Sequence, residues 1–489
     1  MKYEKVMLIN PSNAIPKDSV RRLTVPLGIL YLAACLKDKY CVSILDSTCE
    51  GYYNAKIQGD ELIYGLTDDE VKKRIEDFDP DIVGVSCMFS SSYERALRHC
   101  HLVKDVKNVP VVLGGIHPSL FPEEPILDDA IDFVIVGEGE IRFRKLLDML
   151  NEGKEDFHFD GIVYRKRGKV IHNLRTTAIE DLDALPFPAR DLIDYEKYMK
   201  IGVPYAPFSR GKRVCQILTS RGCPFNCFFC STVKFWGRQF RMRSVDNIIA
   251  EIKYMIDEYN VDEIQFPDDN LTLHRKRSKE LFTRYKDEIG LPWCTPTGLM
   301  VKTLDKPLAK LMAESGAYQV TFAIESGSER VLREIIHKPV PPKEKIKELV
   351  DEFHRHDVQV HGLFIVGFPG ETREEMMQTL TYPFDIEFES VTFFIANPMP
   401  GSALHRFCRE RGYLPAHTKL NFKTSEIVIP EDSPDFVMTN EELEAFVDEK
   451  TREYNEFSRR KFPDKWETKY KQFLQRHGED ADLILGRVT

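Results

Sequence analysis

The chain has little of what a membrane or secreted protein needs. Its longest apolar run, Val25 to Leu36, spans about 12 residues, well short of the roughly 20 that cross a bilayer. MKYEK runs straight into the strand-like VMLIN, so no secretory leader is expected. Eleven cysteines are scattered over 489 residues, which excludes a dense disulfide framework and fits a reducing cytoplasm with metal chemistry. An excess of positive charge is also missing. The net charge of −10 argues against a nucleic-acid polyanion as the main partner, leaving only local basic patches such as Arg238 to Arg243. No internal repeat and no low-complexity tract is visible. What remains is a soluble globular composition, 42% hydrophobic and 30% charged, too long for one ordinary core; two domains and an appendage are expected.

Residues 1–150 alternate between strand-like and helical patterns. Apolar runs at Lys5–Asn10, Cys41–Asp46, Asp81–Ser86, Val111–Gly114 and Asp132–Val136 are separated by segments of helical period such as Leu27–Lys39 and Tyr93–Val106. Short buried strands with helical crossovers predict a doubly wound parallel sheet whose ligand crevice lies at the strands' carboxyl ends. Residues 151–212 read as a linker containing a hairpin that turns at Arg167-Gly168, followed by the Pro-rich DLDALPFPAR. A second alternation fills residues 213–405, with strands expected at Cys215–Thr219, Glu263–Phe266, Gln319–Ile324, Gln359–Val366 and Ser390–Ile395, and suits an open or closed α/β barrel. Residues 406–489 are charged and aromatic and read as a solvated helical extension.

Cys223, Cys227 and Cys230 stand in one short run, RGCPFNCFFCS. Three thiolates at this spacing can hold a metal centre, one ligand short of a closed tetrahedral zinc site or a fully cysteine-ligated cluster. A four-iron cluster held this way keeps one iron open. A zinc knuckle with a remote fourth ligand, or three chance thiols, are the plainer alternatives. Pro224 and Asn226 favour a loop, and Phe225, Phe228 and Phe229 can keep it dry.

With this motif leading and others following in order, residues 213–405 resemble the radical S-adenosylmethionine (radical SAM) superfamily. The resemblance implies a [4Fe-4S] cluster whose open iron is chelated by S-adenosylmethionine, and reductive cleavage of that cofactor to a 5′-deoxyadenosyl radical in a dry pocket. It places Phe229 near the adenine and gives Asp268 and Asp269, in PDDN after a strand, a part in positioning cofactor or substrate. A turn capping a helix is the alternative for these carboxylates. AIESGS puts Glu325, Ser326 and Ser328 where the ribose and amino acid portion would lie, and IVGFPGET carries Gly367 and Gly370 beside the adenine. The family's further glycine is Leu363 here, so that match is partial. NPMPGS at Asn397–Ser402 resembles the segment after the last barrel strand.

The first domain resembles a cobalamin-binding domain. DSTCEG follows the second strand where DxHxxG is common: Asp46 and Gly51 stand, and Thr48 occupies the histidine position. A hydroxyl is a poor cobalt ligand, so no protein histidine is expected below the cobalt. Ser86 ends the third strand and Gly114-Gly115 the fourth, where a flat ring and its nucleotide tail could lie on backbone. His117 reads as a turn residue, and His99 and His101 as surface residues on a helix. Five amino-terminal cysteines, Cys35, Cys41, Cys49, Cys87 and Cys100, read mainly as buried thiols rather than ligands of a second cluster.

The whole resembles the cobalamin-dependent radical SAM enzymes. That implies a methyltransferase acting on an unactivated carbon of a small-molecule or lipid-like substrate, supplied with electrons by a flavodoxin or ferredoxin. A cyclase or rearrangement enzyme using the same cofactors is the alternative. A non-catalytic cobalamin carrier would leave the cysteine motif unexplained.

Overall fold

The computed structural model describes residues 2–17, 19–202, 204–206, 208–415, 426–478 and 481. Two compact units divide at Pro204/Tyr205; the first takes in 1–204 with the terminal 479–489, and the second 205–478.

The first unit is built on a seven-stranded sheet. Its strands are β1 (Lys5–Asn10), β2 (Cys41–Asp46), β3 (Ile82–Ser86), β4 (Val111–Gly114), β5 (Phe133–Ile135), β6 (Ile162–Lys166) and β7 (Lys169–Asn173). The spatial order is β7-β6-β5-β4-β3-β1-β2, with β1 to β5 parallel. The order reverses between β1 and β3, so the two loops that leave these strands diverge and open a crevice at their carboxyl ends. Val6, Met7, Leu8, Val83, Val85, Val111 and Leu113 are buried, as strands covered on both faces require.

The segment expected to be a linker belongs to this sheet. Its hairpin supplies β6 and β7, with β6 antiparallel to β5, and turns at Arg167 and Gly168, both at positive φ. His99 is buried rather than exposed, because it shares the inner face of helix Tyr93–Val106 with Ala96, Cys100 and Val103; its Nδ1 meets the Arg95 carbonyl. His101 is exposed as expected. Among the five cysteines, Cys49, Cys87 and Cys100 are buried, but Cys41 is exposed and Cys35 half-buried.

The second unit carries six parallel strands in sequential order: β8 (Val214–Gln216), β9 (Glu263–Gln265), β10 (Trp293–Cys294), β11 (Ala317–Glu325), β12 (Gln359–Val366) and β13 (Ser390–Ile395). Among the described residues β8 and β13 do not pair, so this is an open, partial barrel. β10 was not expected from the pattern. Two residues are too short to show a period, and Trp293 is a core residue stacked on Phe282 at 4.9 Å. The extension is less solvated than its composition suggests. Helix Asn440–Lys461 buries Leu443, Phe446, Val447 and Tyr454, and Tyr454 donates to the Phe388 carbonyl at 2.7 Å. Residues 416–425, 479–480 and 482–489 of that extension lie outside the described residues. No helix among the described residues is long and apolar enough to cross a membrane.

Candidate active site

Parallel strands in sequential order bring all their carboxyl ends to one edge of the second unit, and the motif residues gather there. Ser220 and Arg221 pair antiparallel with Met242 and Arg241, making a short arm that carries the cysteine loop. Three backbone hydrogen bonds then fix the loop. Cys230 N–H donates to the Cys227 carbonyl (3.0 Å), Phe228 N–H to Ile336 (3.0 Å), and Leu404 N–H to Phe228 (2.8 Å). Phe228 packs edge-on against Phe407, and Phe229 lies 6.2 Å from Phe368.

The three thiols interact electrostatically with one another, and burial pushes Cys227 up to about 12 and raises Cys223. A metal centre would therefore displace protons on binding. Among the described residues no group of three or more His, Cys, Asp and Glu converges to hold a single ion. Three thiolates would fit a four-iron cluster with one iron left open, each ligating a different iron, and fall one ligand short of a closed zinc site.

The carboxylates after β9 separate into different tasks. Asp268 is buried and turned inward; it accepts from Thr219 N–H (3.1 Å), Thr219 Oγ1 (2.7 Å) and Ser220 Oγ (2.5 Å), and so ties the stem of the cysteine arm to the sheet. Its hydrogen bonds among the described residues are internal. It does not cap a helix: the next helix, Arg275–Glu288, is capped by His274. Asp269 faces the open side, near enough to Cys223 for its charge to be felt there. Desolvating walls first, and the Asp268 charge second, raise its pKa to about 6, while the carboxyl keeps the solvent access of a cleft floor. Asn270 is buried, and its Oδ1 has no partner among the described residues.

At the end of β11 the register shifts and Glu325 adopts φ 71°, a strained conformation for a non-glycine residue. Its carboxylate forms a buried ion pair with Lys338 (2.6 Å), and both charges act on Cys227. Lys338 escaped the sequence reading because nothing in HKPVPP distinguishes it from a surface lysine. Ser326, expected to meet the cofactor, is wholly buried; its Oγ lies 2.9 Å from Thr379 Oγ1 and accepts from Ser328 N–H. Ser328 Oγ donates to Glu375, which also takes a two-pronged ion pair from Arg330.

After β12, Gly367 and Gly370 have positive φ. A Cβ on Gly367 would lie 2.6 Å from Leu443 of the long carboxyl-terminal helix, so the chain that needs this glycine is the protein's own; Gly370 meets only Asp435, at 3.6 Å. Glu371 is fully buried. One oxygen accepts from Gly367 and Phe368 N–H (2.8 and 3.1 Å), the other has no partner among the described residues, and burial raises its pKa to about 8.

In the first unit the proposed cobalamin motif divides in two. Asp46 is buried, accepts from Asn10 Nδ2 (2.9 Å), Cys49 N–H (3.0 Å) and the Tyr198 hydroxyl, and thereby caps the turn that follows β2. Thr48 donates to the Pro11 carbonyl at 2.7 Å, so its hydroxyl is not presented to a ligand. Gly51 allows the chain to pass Gly65, where a Cβ would overlap backbone at 2.1 Å. These three residues build the fold. Ser86, Gly114 and Gly115, by contrast, stay half-open at the carboxyl ends of β3 and β4, next to Met88 and Phe89, which are 42% and 51% exposed. That apolar shelf fits a flat corrin ring. His117 is buried in the short helix Ile116–Leu120, stacked on Tyr93 at 4.2 Å, and burial lowers its pKa to about 4.

Comparison with known proteins assigns this architecture. Residues 217–382 match the radical SAM superfamily model, and residues 15–147 match the B12 binding domain. The chain is 40% identical over 465 residues to cytidylyl-2-hydroxyethylphosphonate methyltransferase of Streptomyces wedmorensis, covering 88% of this chain and 86% of that one. An uncharacterized methyltransferase of Pyrococcus horikoshii is 35% identical over 410 residues, 83% of each chain. Among solved structures, the radical S-adenosylmethionine methyltransferase TsrM of Kitasatospora setae, determined with cobalamin and a [4Fe-4S] cluster bound, shares the fold. Its TM-score is 0.66 and its identity 16%, over 84% of this chain and 78% of that one. The chain belongs to the cobalamin-dependent radical SAM enzymes.

Proposed function

We propose that this protein is a methyltransferase that alkylates an unactivated carbon of a small molecule. Cys223, Cys227 and Cys230 would hold a [4Fe-4S] cluster, the carboxyl edge of the second unit would hold S-adenosylmethionine, and the shelf at Ser86, Gly114 and Gly115 would hold cobalamin. Bound there, these groups supply a hydrogen-abstracting radical and a transferable methyl group. The rest falls to side chains. Asp268 fixes the stem of the cysteine arm, and the phenylalanines around the loop exclude water. The Glu325–Lys338 pair sets the charge beside Cys227. Asp269 and Asn270, whose Oδ1 has no partner among the described residues, are polar groups at this edge that could orient a ligand.

The observation that carries this reading is the loop of three mutually coupled thiols in a chain 40% identical, through both units, to a phosphonate methyltransferase. That relative makes cytidylyl-2-hydroxyethylphosphonate the first substrate to test, and a flavodoxin or ferredoxin the first electron donor. Anaerobic reconstitution with iron, sulfide and hydroxocobalamin, followed by S-adenosylmethionine and reductant, should yield 5′-deoxyadenosine and S-adenosylhomocysteine together. Cys227→Ala should lose the deoxyadenosine and bound iron. Deoxyadenosine from wild type with neither corrinoid nor S-adenosylhomocysteine would refute methyl transfer.

A further inference from the structure

The loop leaving β1 at the point where the strand order reverses carries a buried cation that no anion among the described residues meets. Arg21 is 2% exposed. Its guanidinium lies over two tyrosine rings, 5.7 Å from the centre of Tyr52 and 5.5 Å from that of Tyr64. The rings are fastened to the same loop: the Tyr52 hydroxyl donates to the Arg21 carbonyl (2.7 Å) and the Tyr64 hydroxyl to the Arg22 carbonyl (3.0 Å). Asn13 Nδ2 in turn donates to the Tyr64 hydroxyl (2.9 Å). The position is therefore built rather than incidental. Against this framing the guanidinium itself is poorly served. Nη1 reaches the Tyr52 carbonyl at 3.4 Å, and among the described residues Nε has no hydrogen-bond partner and no carboxylate pairs with the group. Ring faces offset part of the cost of burying the charge, but they satisfy none of the five planar N–H donors. A guanidinium is matched in shape and charge by a tetrahedral oxyanion, which accepts two parallel hydrogen bonds.

We propose that Arg21 is the anion-binding residue of the first unit and takes a phosphate or phosphonate oxyanion of a bound ligand. Tyr52 and Tyr64 hold the guanidinium beside the turn through Gly51, on the loop that leaves β1. This inference rests on the functional reading above, within which two ligands carry such a group: the nucleotide tail of cobalamin and a phosphorylated substrate.

The test uses the full reconstituted chain and its Arg21→Gln and Arg21→Lys variants. Binding of hydroxocobalamin, of cobinamide (which lacks the nucleotide phosphate) and of cytidine monophosphate is measured by absorbance titration and calorimetry, with circular dichroism as the check on folding. If the anion is cobalamin's, Arg21→Gln weakens hydroxocobalamin about 10- to 100-fold and leaves cobinamide unchanged. If it is the substrate's, the same loss falls on cytidine monophosphate while both corrinoids bind as before. Arg21→Lys keeps the charge without the planar fork; it covers the case in which the Gln variant does not fold, and should lose affinity in the same arm. Wild-type affinity for all three probes in a folded variant overturns the proposal. Failure of wild type to bind either corrinoid overturns the cofactor reading instead, and the cytidine monophosphate arm then decides Arg21 alone.

Discussion

Both units present the carboxyl edge of a parallel sheet, yet they use its polar residues in opposite ways. In the first unit, the side chains that end β2 are turned into the protein: Asp46 caps its own turn and Thr48 bonds Pro11. What faces outward there is backbone at Gly114 and Gly115 and the apolar Met88 and Phe89. In the second unit, the same edge carries three thiols, an open carboxylate at Asp269, an Asn270 Oδ1 without a partner among the described residues and a buried ion pair beside Cys227. A large flat ring needs a smooth, apolar surface, whereas a charged cluster and a zwitterionic cofactor need directed polar groups. The two edges differ as those two kinds of ligand would require.

The contrast can be broken most sharply at Lys338. Replacing it by Met leaves Glu325 buried without its partner, and the second unit should lose about 3–5 kcal/mol, read as a lower midpoint for its transition in denaturant. Pairing Lys338→Met with Glu325→Leu should recover most of that loss. An unchanged midpoint in the single variant would mean that the pair is not buried in solution.

Glu371 comes next. Its pKa of about 8 lies above the ordinary value of 4.5, so the folded state holds the proton more tightly than the unfolded chain. Wild-type stability from this group is whole below pH 4.5 and is lost as pH rises through about 8. Glu371→Gln cannot ionise; it should match wild type near pH 5 and exceed it by a few kcal/mol at pH 9, at about 1.4 kcal/mol per pKa unit. A constant difference between the two melting curves across that range would contradict the buried proton.

The adjacent carboxylates after β9 should behave unlike each other. Asp268→Asn loses acceptors for Thr219 and Ser220, lowering stability by about 1–3 kcal/mol and cluster loading with it. Asp269→Asn should leave the melting temperature alone and reduce deoxyadenosine formation about 10-fold. The smallest effect belongs to Thr48. Thr48→Val removes one buried hydrogen bond, worth about 1 kcal/mol, and should leave the visible spectrum of bound cobalamin unchanged. A spectral shift would place that side chain at the cobalt after all.

Much of the architecture was legible in the sequence. Most strands of both sheets follow from apolar runs of four to eight residues bounded by turn signals, and β12, β13, β1, β2 and β4 fall where the pattern puts them, whereas the two-residue β10 and the place of the hairpin strands β6 and β7 in the first sheet do not. The cysteine loop was legible because three thiols of one type at short spacing have few other uses. The site residues fared less evenly. Asp268 and Asp269 are identical in sequence and adjacent, and only the fold turns one inward to Thr219 and the other toward Cys223. Gly367 was read as letting backbone approach an adenine, and the fold adds a second demand, since a Cβ there would meet Leu443, 76 residues later.

The sequence by itself determined the order of the two α/β units, the barrel-type strand and helix alternation of the second and the cysteine loop, because hydrophobic period and residue spacing are local properties of the chain. The tertiary structure alone decided which motif residues remain available to a ligand. A carboxylate, hydroxyl or guanidinium buried on folding must find a partner, and that partner is set by packing between residues tens of positions apart. Asp46 found Tyr198 and Glu325 found Lys338, whereas Arg21 found two aromatic faces and, among the described residues, no anion.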